Sequence, residues 1–440
     1  MKTHILKIVV LLLAASAIFT AQAETAEEAD TAQSYRLQHR QDMLKTVRVI
    51  GASTAGRDSV DLLLRQFYMD QFRHFQDPEA PSFMFMSRDA ILALGMGAQV
   101  QVKGWYDWNG TIDDTDFHPY EIAVPKDDAN KRNLGASPSG TSIFLTLLGK
   151  TKAGKFMAYI EGGFSGYNNI DFKLKKAYVT FRDWTVGYAK STFSDPAAEI
   201  PVIDGGGQNG KIGHTTTLVR WLHDFRKHWK VAVSVEMPSF GIQGVDSTVA
   251  KQNAYVPDVA AFLQFEHGRG SHLRLSGIMR VLTYRDLVNA TNHSKMGWGV
   301  QLSSVTQVSR PLTLFAIANV GQGVSSYSND LGVAGYDLIS DLDKRGEMYA
   351  PFTWSLALGA QYYFSKNVFS AITLSEARYM PSKRVLPTDY KYGLYGAVNM
   401  FWNITTRLQV GAEYIWGKRQ NFNHRHACAD RIDVLFQLSF

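Results

Sequence analysis

The chain has 440 residues, a formal net charge of +6 and a mean hydropathy of −0.16. This mild positive charge does not indicate a nucleic-acid partner, and the single cysteine, Cys428, excludes an internal disulfide framework. A soluble chain of this length would be expected to form two or three domains.

The first 23 residues have the three parts of a secretory signal peptide. Lys2 and Lys7 precede a largely apolar run from Ile8 to Phe19, and Ala21-Gln22-Ala23 supplies the cleavage site. The run is too short to span a bilayer as a helix, and no later segment has the roughly eighteen uninterrupted apolar residues that a spanning helix needs. An exported chain without such a helix can still cross a membrane as a closed β-barrel, which also pairs every backbone N–H and C=O.

Residues 24–80 are predicted to form a periplasmic arm. Glu24–Asp58 is polar and weakly patterned, which is typical of a mobile or conditionally helical segment. Val60–Phe75 has apolar residues at helical spacing, and Gln76-Asp77-Pro78 ends this amphipathic helix. Its apolar face consists of Val60, Leu63, Leu64, Phe67 and Phe75, with Phe72 at the edge. The spacing leaves two partners open, the chain's own barrel and a neighbouring subunit.

From Ile91 onward, apolar and polar residues alternate with a period of two, as in strands with lipid or core on one side and water on the other. The first strand, LALGMGAQVQVKGWYDW, puts Leu92 and Leu94 on one face and Gln99 and Lys103 on the other. The last, RIDVLFQLSF, is apolar at every second position back from Phe440. After the first strand, fifteen more are predicted, the last of which contains RIDVLFQLSF, and this makes about sixteen in all. They begin near Thr141, Lys155, Phe172, Trp184, Thr215, Trp229, Pro257, Ser271, Lys295, Pro311, Phe352, Asn367, Tyr390, Thr405 and Ala429.

The connections between these strands alternate in length. Short turns such as Lys150–Gly154 are followed by long segments such as Ser165–Asp171 and Gly321–Ala350. This alternation is typical of an outer-membrane barrel, with short turns in the periplasm and longer loops outside. The sequence therefore predicts an all-β fold over residues 81–440, a sixteen-stranded antiparallel transmembrane β-barrel in the bacterial outer membrane. The terminal aromatic, Phe440, resembles the signal that the outer-membrane assembly machinery recognises.

The same alternation predicts which side chains point into the barrel. Arg or Lys facing lipid at mid-depth would cost about 2–4 kcal/mol each, so charged residues of the strands are assigned to the lumen. The predicted pore-lining bases are Lys176, Arg182, Arg220, Arg274, Arg280, Arg407 and Arg431, and the predicted pore-lining acids are Glu161, Glu236, Glu266, Glu413 and Asp433. The excess of bases predicts a preference for small anions, unless these charges pair with one another and cancel.

The third long connection, about residues 192–214, differs from the other loops. It contains an apolar stretch, Ile200–Ile203, and three consecutive glycines, Gly205–Gly207. We expect it to fold into the lumen as a constriction loop, with Asp195, Glu199 and Asp204 facing the basic wall; the alternative is a loop lying over the mouth. The run from Gly205 to Lys211 matches much of a phosphate-binding loop, but Ile212 stands where such a loop needs Ser or Thr to hold a metal ion.

The sequence gives little support for a metal site or a hydrolytic active site. His424, His426 and Cys428 resemble a metal cluster but have no fourth ligand in the same loop, so neither a metal site nor a cofactor is expected. No G-x-S-x-G motif is present, and His267 and Ser271 lack a third partner for hydrolysis. The favoured function is a diffusion channel, and two alternatives stay open: a barrel enzyme of the lipase or protease type, and a structural or adhesion barrel plugged by the arm Glu24–Phe75.

The stretch HFQDPEAPSFMFMSRDAILALGMGAQVQVKGWYDW resembles the opening of the DcaP-like outer-membrane porin family. The matching residues are Ala80, Pro81, Phe83, Phe85, Ser87 and Asp89, followed by Gly95 and Gly97. The resemblance implies a sixteen-stranded trimeric porin with an N-terminal periplasmic helical segment that takes up small anionic solutes. The expected partners are the lipid bilayer with its lipopolysaccharide, two further copies of the chain, small anions and, through Phe440, the assembly machinery; nucleic acid is not expected.

Overall fold

The computed structural model describes residues 34–51, 81–87, 92–112, 114–166, 170–243, 248–268 and 270–440. The predicted signal peptide and the predicted helix Val60–Phe75 lie outside these ranges. Among the described residues, no helix is long and apolar enough to cross a membrane.

The helices and strands follow one another along the chain in a largely β order. Two α-helices are present in these ranges, α1 (Tyr35–Lys45) and α2 (Asn329–Ala334), with 3₁₀ turns at Pro119–Glu121, Pro196–Ala198 and Ser325–Tyr327. The strands are β1 (Arg48–Ile50), β2 (Phe83–Met86), β3 (Leu92–Trp108), β4 (Asn133–Ser137), β5 (Ser142–Thr151), β6 (Gly154–Ser165), β7 (Asp171–Phe181), β8 (Trp184–Lys190), β9 (Thr215–Arg226), β10 (Trp229–Glu236), β11 (Ile242–Gln243), β12 (Val249–Lys251), β13 (Asp258–Gly268), β14 (Ser271–Asp286), β15 (Thr291–Gln307), β16 (Leu312–Gln322), β17 (Leu338–Ser340), β18 (Met348–Tyr349), β19 (Phe352–Ser365), β20 (Val368–Met380), β21 (Tyr390–Asn403), β22 (Leu408–Asn421) and β23 (His426–Ser439).

Sixteen of these strands form a closed antiparallel ring, which confirms the predicted barrel. In chain order they are β3, β5–β10, β13–β16 and β19–β23. The ring closes where β23 pairs with β3, from Ser439 opposite Gln99 to Asp430 opposite Trp108. The backbone of Phe440 adds two hydrogen bonds to Ala98, of 2.6 and 2.8 Å. The sheet therefore has no free edge at the seam.

Short strands continue the ladder where a barrel strand ends. β2 pairs with the start of β3, from Met86 opposite Ala93 to Phe83 opposite Met96, just beyond the position of Phe440. β4 extends β5 along β3, and β12 extends β13 along β14. β2 pairs with the first part of β3 because β23 ends before it.

Exposure follows the period of two along each barrel strand. On β14, Leu275 and Met279 are 51% and 55% exposed, whereas the adjacent Arg274 and Arg280 are 1% and 2% exposed. Apolar side chains therefore form the outer surface, and the intervening polar side chains point inward. The buried apolar clusters lie between the inner wall and the loops that fold against it rather than in one central core.

The hydrogen bonds of Phe440 lead to a test of the seam. Deleting Phe440 removes two backbone hydrogen bonds next to the pairing of β23 with β3, and it removes the terminal aromatic, so we expect slower conversion to the heat-modifiable folded form in electrophoresis. Phe440→Trp keeps the backbone and an aromatic ring and serves as the control. Equal assembly rates for the deletion and the parent would contradict a role for this residue.

Candidate functional site

The third loop (residues 191–214, hereafter loop 3) connects β8 to β9 and lies inside the barrel. Its apolar residues pack on successive parts of the inner wall: Phe193 with Ile278, Ile200 with Phe315, and Ile203 in the cluster of Tyr363, Phe369, Phe401 and Leu435. Full burial of such a side chain contributes about 1.5–3 kcal/mol. The unusual apolar content of this loop is therefore what holds it against the wall instead of over the mouth.

A buried ion pair fixes the start of loop 3. Oδ1 of Asp195 lies 3.3 Å from a guanidinium nitrogen of Arg274, while Oδ2 accepts hydrogen bonds from His272 Nε2, at 2.8 Å, and from Ser303 Oγ. Burial alone would raise the pKa of Asp195, but Arg274 and His272 outweigh it and hold the pKa well below its usual range. The carboxylate therefore stays charged in the folded protein.

The same cluster bears on the enzyme alternative. In a nucleophilic triad the histidine lies between the serine and the acid, because it must accept the serine proton. Here Asp195 lies between His272 and Ser303, and its side chain is fully buried. These contacts anchor a loop, and the hypothesis of a barrel hydrolase gains no support from them.

The glycine run surrounds a carboxylate of its own chain. Asp204 accepts backbone hydrogen bonds from Gly206 and Gly207, each 3.1 Å, and from Phe117 of the first loop at 2.9 Å. Gly207 has φ = +66°, a conformation that glycine adopts at little cost. The position that a bound phosphate would take in a nucleotide-binding loop is thus filled by Asp204, which explains the partial motif match.

Polar contacts complete the attachment of loop 3. Glu413 accepts from the backbone N–H groups of Ile203 and Asp204 at distances of 2.9–3.1 Å. At the other end of the loop, the carbonyl of Gly210 accepts from Asn319 at 2.8 Å and Ser355 at 2.6 Å. Loop 3 is therefore attached to strands on the far side of the ring from β8, where it starts.

Three of the predicted pore-lining arginines lie on the inner face but are neutralised by direct ion pairs. Beside the Arg274–Asp195 pair, Arg280 lies 3.2 Å from Asp258 and 3.5 Å from Asp337, and Arg431 forms a bidentate pair with Asp107 at 2.6 and 3.0 Å. Their side chains are at most 1% exposed. Lys103 pairs in the same way with Asp433 at 3.3 Å. Asp195 and Asp204 of loop 3 lie directly against bases of this wall, so no open space separates the opposite charges at these two residues. Asp204 lies 3.8 Å from Lys103.

Two other predicted bases are placed elsewhere by the structure. Arg182 lies in the two-residue turn after β7, is exposed and donates to the carbonyl of Ala153 at 2.6 Å. Arg407 lies in the turn before β22 and donates to Thr46 at 3.0 Å and Ser82 at 2.6 Å. Both residues lie in turns past the end of a strand, where side-chain direction no longer follows a period of two, so their pore-lining roles do not follow from the alternation and stay predictions.

The predicted acids also have identifiable partners. Glu236 accepts from the backbone N–H of Thr192 at 2.8 Å at the base of loop 3, and Glu266 lies 3.1 Å from Lys230 near the periplasmic end. Glu161 lies on the inner face of β6, 3.5 Å from Lys176. Glu161 also belongs to a group of several bases and acids that faces the lumen.

Four lysines and two glutamates form the group that we call the lysine patch: Lys175, Lys176, Lys190, Lys211, Glu161 and Glu199. Lys175 and Lys176 lie 3.8 and 3.5 Å from Glu161, and Lys211 lies 3.2 Å from Glu199 across the base of loop 3. The charge of Lys190 interacts with those of Lys176, Lys211 and both glutamates. Four positive against two negative charges leave the patch with a net charge of +2. Arg220 approaches it from β9, donating to the carbonyl of Lys190 at 3.1 Å.

A β-bulge brings two adjacent lysines to the same side of the wall. On β7, Lys176 pairs with Glu161 and Leu174 pairs with Gly162, so Lys175 is an extra residue in the ladder. Such a bulge re-aims a side chain that would otherwise point to the opposite face. The Lys175 side chain lies over Gly163, whose missing Cβ leaves the room that it occupies.

The patch borders an opening in the barrel wall. The ladder between β7 and β8 ends at the pair of Ala177 and Tyr188, so the preceding part of β7 and the end of β8 do not pair with each other. A cavity of about 520 Å³ lies there. Its lining consists of Glu161, Leu174, Lys175, Lys176, Tyr188, Lys190 and Thr215. The lining includes the outward-facing Leu174 as well as lumen-facing charges, so the cavity lies within the wall at the base of loop 3.

Sequence reasoning found Lys176, Arg220 and Glu161 for this site but missed Lys175, Lys190 and Lys211. A strict period of two places Lys175 on the lipid-facing side. Only the free-energy cost of a lysine side chain in lipid would have indicated that a bulge turns it inward. Lys190 directly precedes loop 3 and Lys211 lies within it, and their proximity follows from the inward path of that loop. Within the described part of the chain, no group of three His, Cys, Asp or Glu side chains is arranged to hold a metal ion.

Comparison with known proteins agrees with this geometry. The sequence matches the family model of the DcaP outer membrane protein over residues 88–440. A search of curated proteins gave no match. Among solved structures, the outer membrane channel DcaP of Acinetobacter baumannii is similar, with a TM-score of 0.70 and 19% identity, covering 81% of this chain and 99% of that one. The trimer form of OmpT from Vibrio cholerae has a TM-score of 0.50 and 7% identity, covering 80% and 100%. The anion-selective porin from Comamonas acidovorans has a TM-score of 0.48 and 11% identity, covering 79% and 100%.

A closed sixteen-stranded barrel with a loop folded into its lumen defines an outer-membrane channel of the porin class. The family match covers most of the chain, and the chain belongs to the DcaP outer membrane protein family. The protein is therefore located in the bacterial outer membrane, as the strand pattern and the Ala80–Gly97 motif predicted.

The ion pair at Asp195 provides a stability test. Asp195→Asn leaves the buried guanidinium of Arg274 without its carboxylate, which should lower the free energy of unfolding by about 3–5 kcal/mol, measured as a lower midpoint of heat- or urea-induced loss of the folded band. Because the pKa of Asp195 is lowered, the contribution of the pair is present at neutral pH and lost only as the pH falls below the ordinary value of about 4.

Glu199→Gln is the matched control, since it removes the same charge from a pair whose side chains are 16% and 23% exposed. Its effect should stay within about 1 kcal/mol. Equal losses for the two variants would contradict the anchoring role of Asp195.

Proposed function

We propose that the protein is a passive diffusion channel for small hydrophilic solutes, with a preference for anions such as carboxylates, and that it works as a homotrimer. The observation that carries the proposal is the lysine patch with its net charge of +2. Its members on β6–β8 lie on the side of the ring opposite the strands to which loop 3 is attached, and Glu199 and Lys211 extend the patch onto loop 3. Solutes that pass beside loop 3 would therefore meet it.

The physical basis is the difference between paired and surplus charge. Arg274, Arg280 and Arg431 each have a carboxylate within 3.5 Å, so their fields largely cancel outside the pair. In the lysine patch the bases outnumber the acids, and a low-dielectric wall focuses the surplus into the passage. A surplus of positive charge raises the local concentration of anions and lowers that of cations. The predicted anion preference thus rests on fewer and partly different residues than the sequence indicated.

Removing charge from the patch tests the preference. With Lys175→Gln and Lys176→Gln together, the net charge of the patch falls from +2 to 0, and the anion-to-cation permeability ratio should fall at least about twofold at low ionic strength, where screening is weak. Reversal potentials in a salt gradient across planar bilayers measure this ratio.

Lys152→Gln with Lys366→Gln is the matched control, because both lysines are exposed in periplasmic turns and the total charge change is the same. The control should leave the ratio unchanged. A cation-selective parent channel would reject the proposal, and swelling of liposomes in mono- and dicarboxylates, sugars and amino acids would then identify the solute class.

The opening between β7 and β8 supports the trimer. Charged side chains at an opening that faced lipid would be costly, and a neighbouring subunit on the outer surface at Leu174 would cover it. The structurally similar OmpT of Vibrio cholerae has a trimer form. A homotrimer built on this face would also support the wall at the place where loop 3 leaves it.

A bulky substitution tests this face. Leu174→Trp should weaken the trimer while the barrel stays folded, whereas Leu374→Trp on β20, also an exposed leucine of the outer surface, should not. Native mass spectrometry in mild detergent measures the oligomeric state. A parent protein that is monomeric at all concentrations would reject the trimer, and equal effects of the two variants would place the interface elsewhere.

A further inference from the structure

The N-terminal helix α1 contacts the inside of the barrel at both of its ends. At its start, the Tyr35 backbone N–H donates to the carbonyl of Arg310 at 3.4 Å, and the Tyr35 ring lies 6.1 Å from that of Tyr363. The guanidinium of Arg36 lies 5.3 Å from the centre of the Phe315 ring. Phe315 and Tyr363 are buried on the inner face, in the clusters that include Ile200 and Ile203 of loop 3.

The other end of α1 meets a different part of the inner wall. Leu44 belongs to the buried cluster of Met84, Ala93 and Leu148, and Val47 and Val49 pack against it. Leu148 lies on β5, whereas Phe315 and Tyr363 lie on β16 and β19, roughly on the opposite side of the ring. A helix with one end on each of these walls crosses the lumen.

Two arginines of the periplasmic turns fix the depth of this crossing. Arg310 lies in the turn between β15 and β16, and its guanidinium lies 4.5 Å from the centre of the Tyr35 ring. Arg407, in the turn between β21 and β22, donates to Thr46 directly after the helix. The helix is therefore at the periplasmic mouth of the barrel.

The diameter of α1 is a large fraction of the width of the barrel's periplasmic mouth. Sixteen strands about 4.8 Å apart and tilted by about 40° enclose a ring roughly 30 Å across between backbones, before side chains narrow it. An α-helix with side chains is about 10–12 Å across. The helix thus occupies a large share of the opening, and its Arg36, Arg40 and Lys45 against Asp42 place a net charge of +2 there.

The attachment of α1 is suited to reversible release. Only Leu37, Met43 and Leu44 of its eleven residues are buried apolar side chains. Ser34 caps the helix by accepting from the Leu37 backbone N–H at 3.2 Å, so the helix itself is well defined. Burial of these three side chains stabilises the seated helix. It is opposed by the conformational entropy lost on ordering the backbone and side chains of eleven residues, so these apolar contacts alone do not lock the helix in place.

We propose that α1 is a periplasmic gate, which obstructs the mouth when seated between Tyr363 and the Leu44 cluster and opens it when released. The proposal rests on the channel function proposed above. It goes beyond the alternative of a static plug, because the same segment accounts for both a closed and an open state. The released state leaves loop 3 and the lysine patch in place.

Single-channel recording on the full-length chain tests the gate. Removing residues 24–46 after the expected signal peptide should raise the mean conductance about twofold, since an obstruction about 10–12 Å across is lost, and should remove transitions between conductance levels. Heat-modifiable mobility shows whether the shortened barrel folds.

A disulfide that holds α1 in place tests the same gate without deletion. In a Cys428→Ser background, Tyr35→Cys and Arg310→Cys join two residues whose backbones share a hydrogen bond, which brings their Cα atoms within reach of a disulfide. The oxidised double variant should stay at the lower conductance level, and reduction should restore transitions. Each single-cysteine variant is the control and should not respond to oxidation.

The outcomes separate the gate from the channel. Equal conductance of the shortened and full-length chains, with no effect of oxidation, would overturn the gate while an anion-selective reversal potential upholds the channel. A folded shortened barrel that conducts nothing would overturn both. A higher conductance that oxidation suppresses supports the gate.

Discussion

The closed ladder of backbone hydrogen bonds is the constraint on which the rest of this structure depends. In lipid, every N–H and C=O must be paired within the protein, and a ring without edges is the way that strands achieve this. The ring here closes through β3 and β23, and short strands such as β2 continue the ladder where a barrel strand ends. Because the backbone of the wall must keep this pairing, the features that give this barrel its own properties lie in the loops, the inward side chains and the few places where the ladder stops.

Charges inside such a ring obey a second constraint, which follows from the first. The interior has a low dielectric constant wherever loops exclude water, so a charge there needs a partner. Arg274, Arg280 and Arg431 meet this need with carboxylates, two of which, Asp195 and Asp337, come from loops. The ion pairs therefore attach the loops to the wall, and most of the interior charge serves structure. The lysine patch differs from these pairs because its bases outnumber its acids.

Much of the fold could be predicted from the sequence, because a period of two and alternating connection lengths are local signals. Strand starts such as Trp184, Thr215 and Ser271 coincide with the structure, and others differ by up to four residues, as where Lys295 was expected and Thr291 is found. The site was harder to predict, since it depends on long-range geometry. A bulge turns Lys175 inward, turns place Arg182 and Arg407 beyond the ends of strands, and ion pairs to carboxylates distant in the sequence neutralise three arginines. None of these features has a local pattern.

At the base of loop 3, the path of the loop inside the barrel and the pairing of the wall strands depend on each other. When the chain turns inward after Lys190, β8 stops pairing with β7, and the same step that builds a constriction leaves an opening in the wall. The opening admits Lys175 and Lys176 to the space that Lys190 and Lys211 face. In the proposed trimeric channel, selectivity and subunit contact would share a physical origin, because the lysines proposed to meet solutes from the inside line the opening that a neighbour would cover from the outside. A substitution at the base of loop 3 should therefore seldom alter one property without the other.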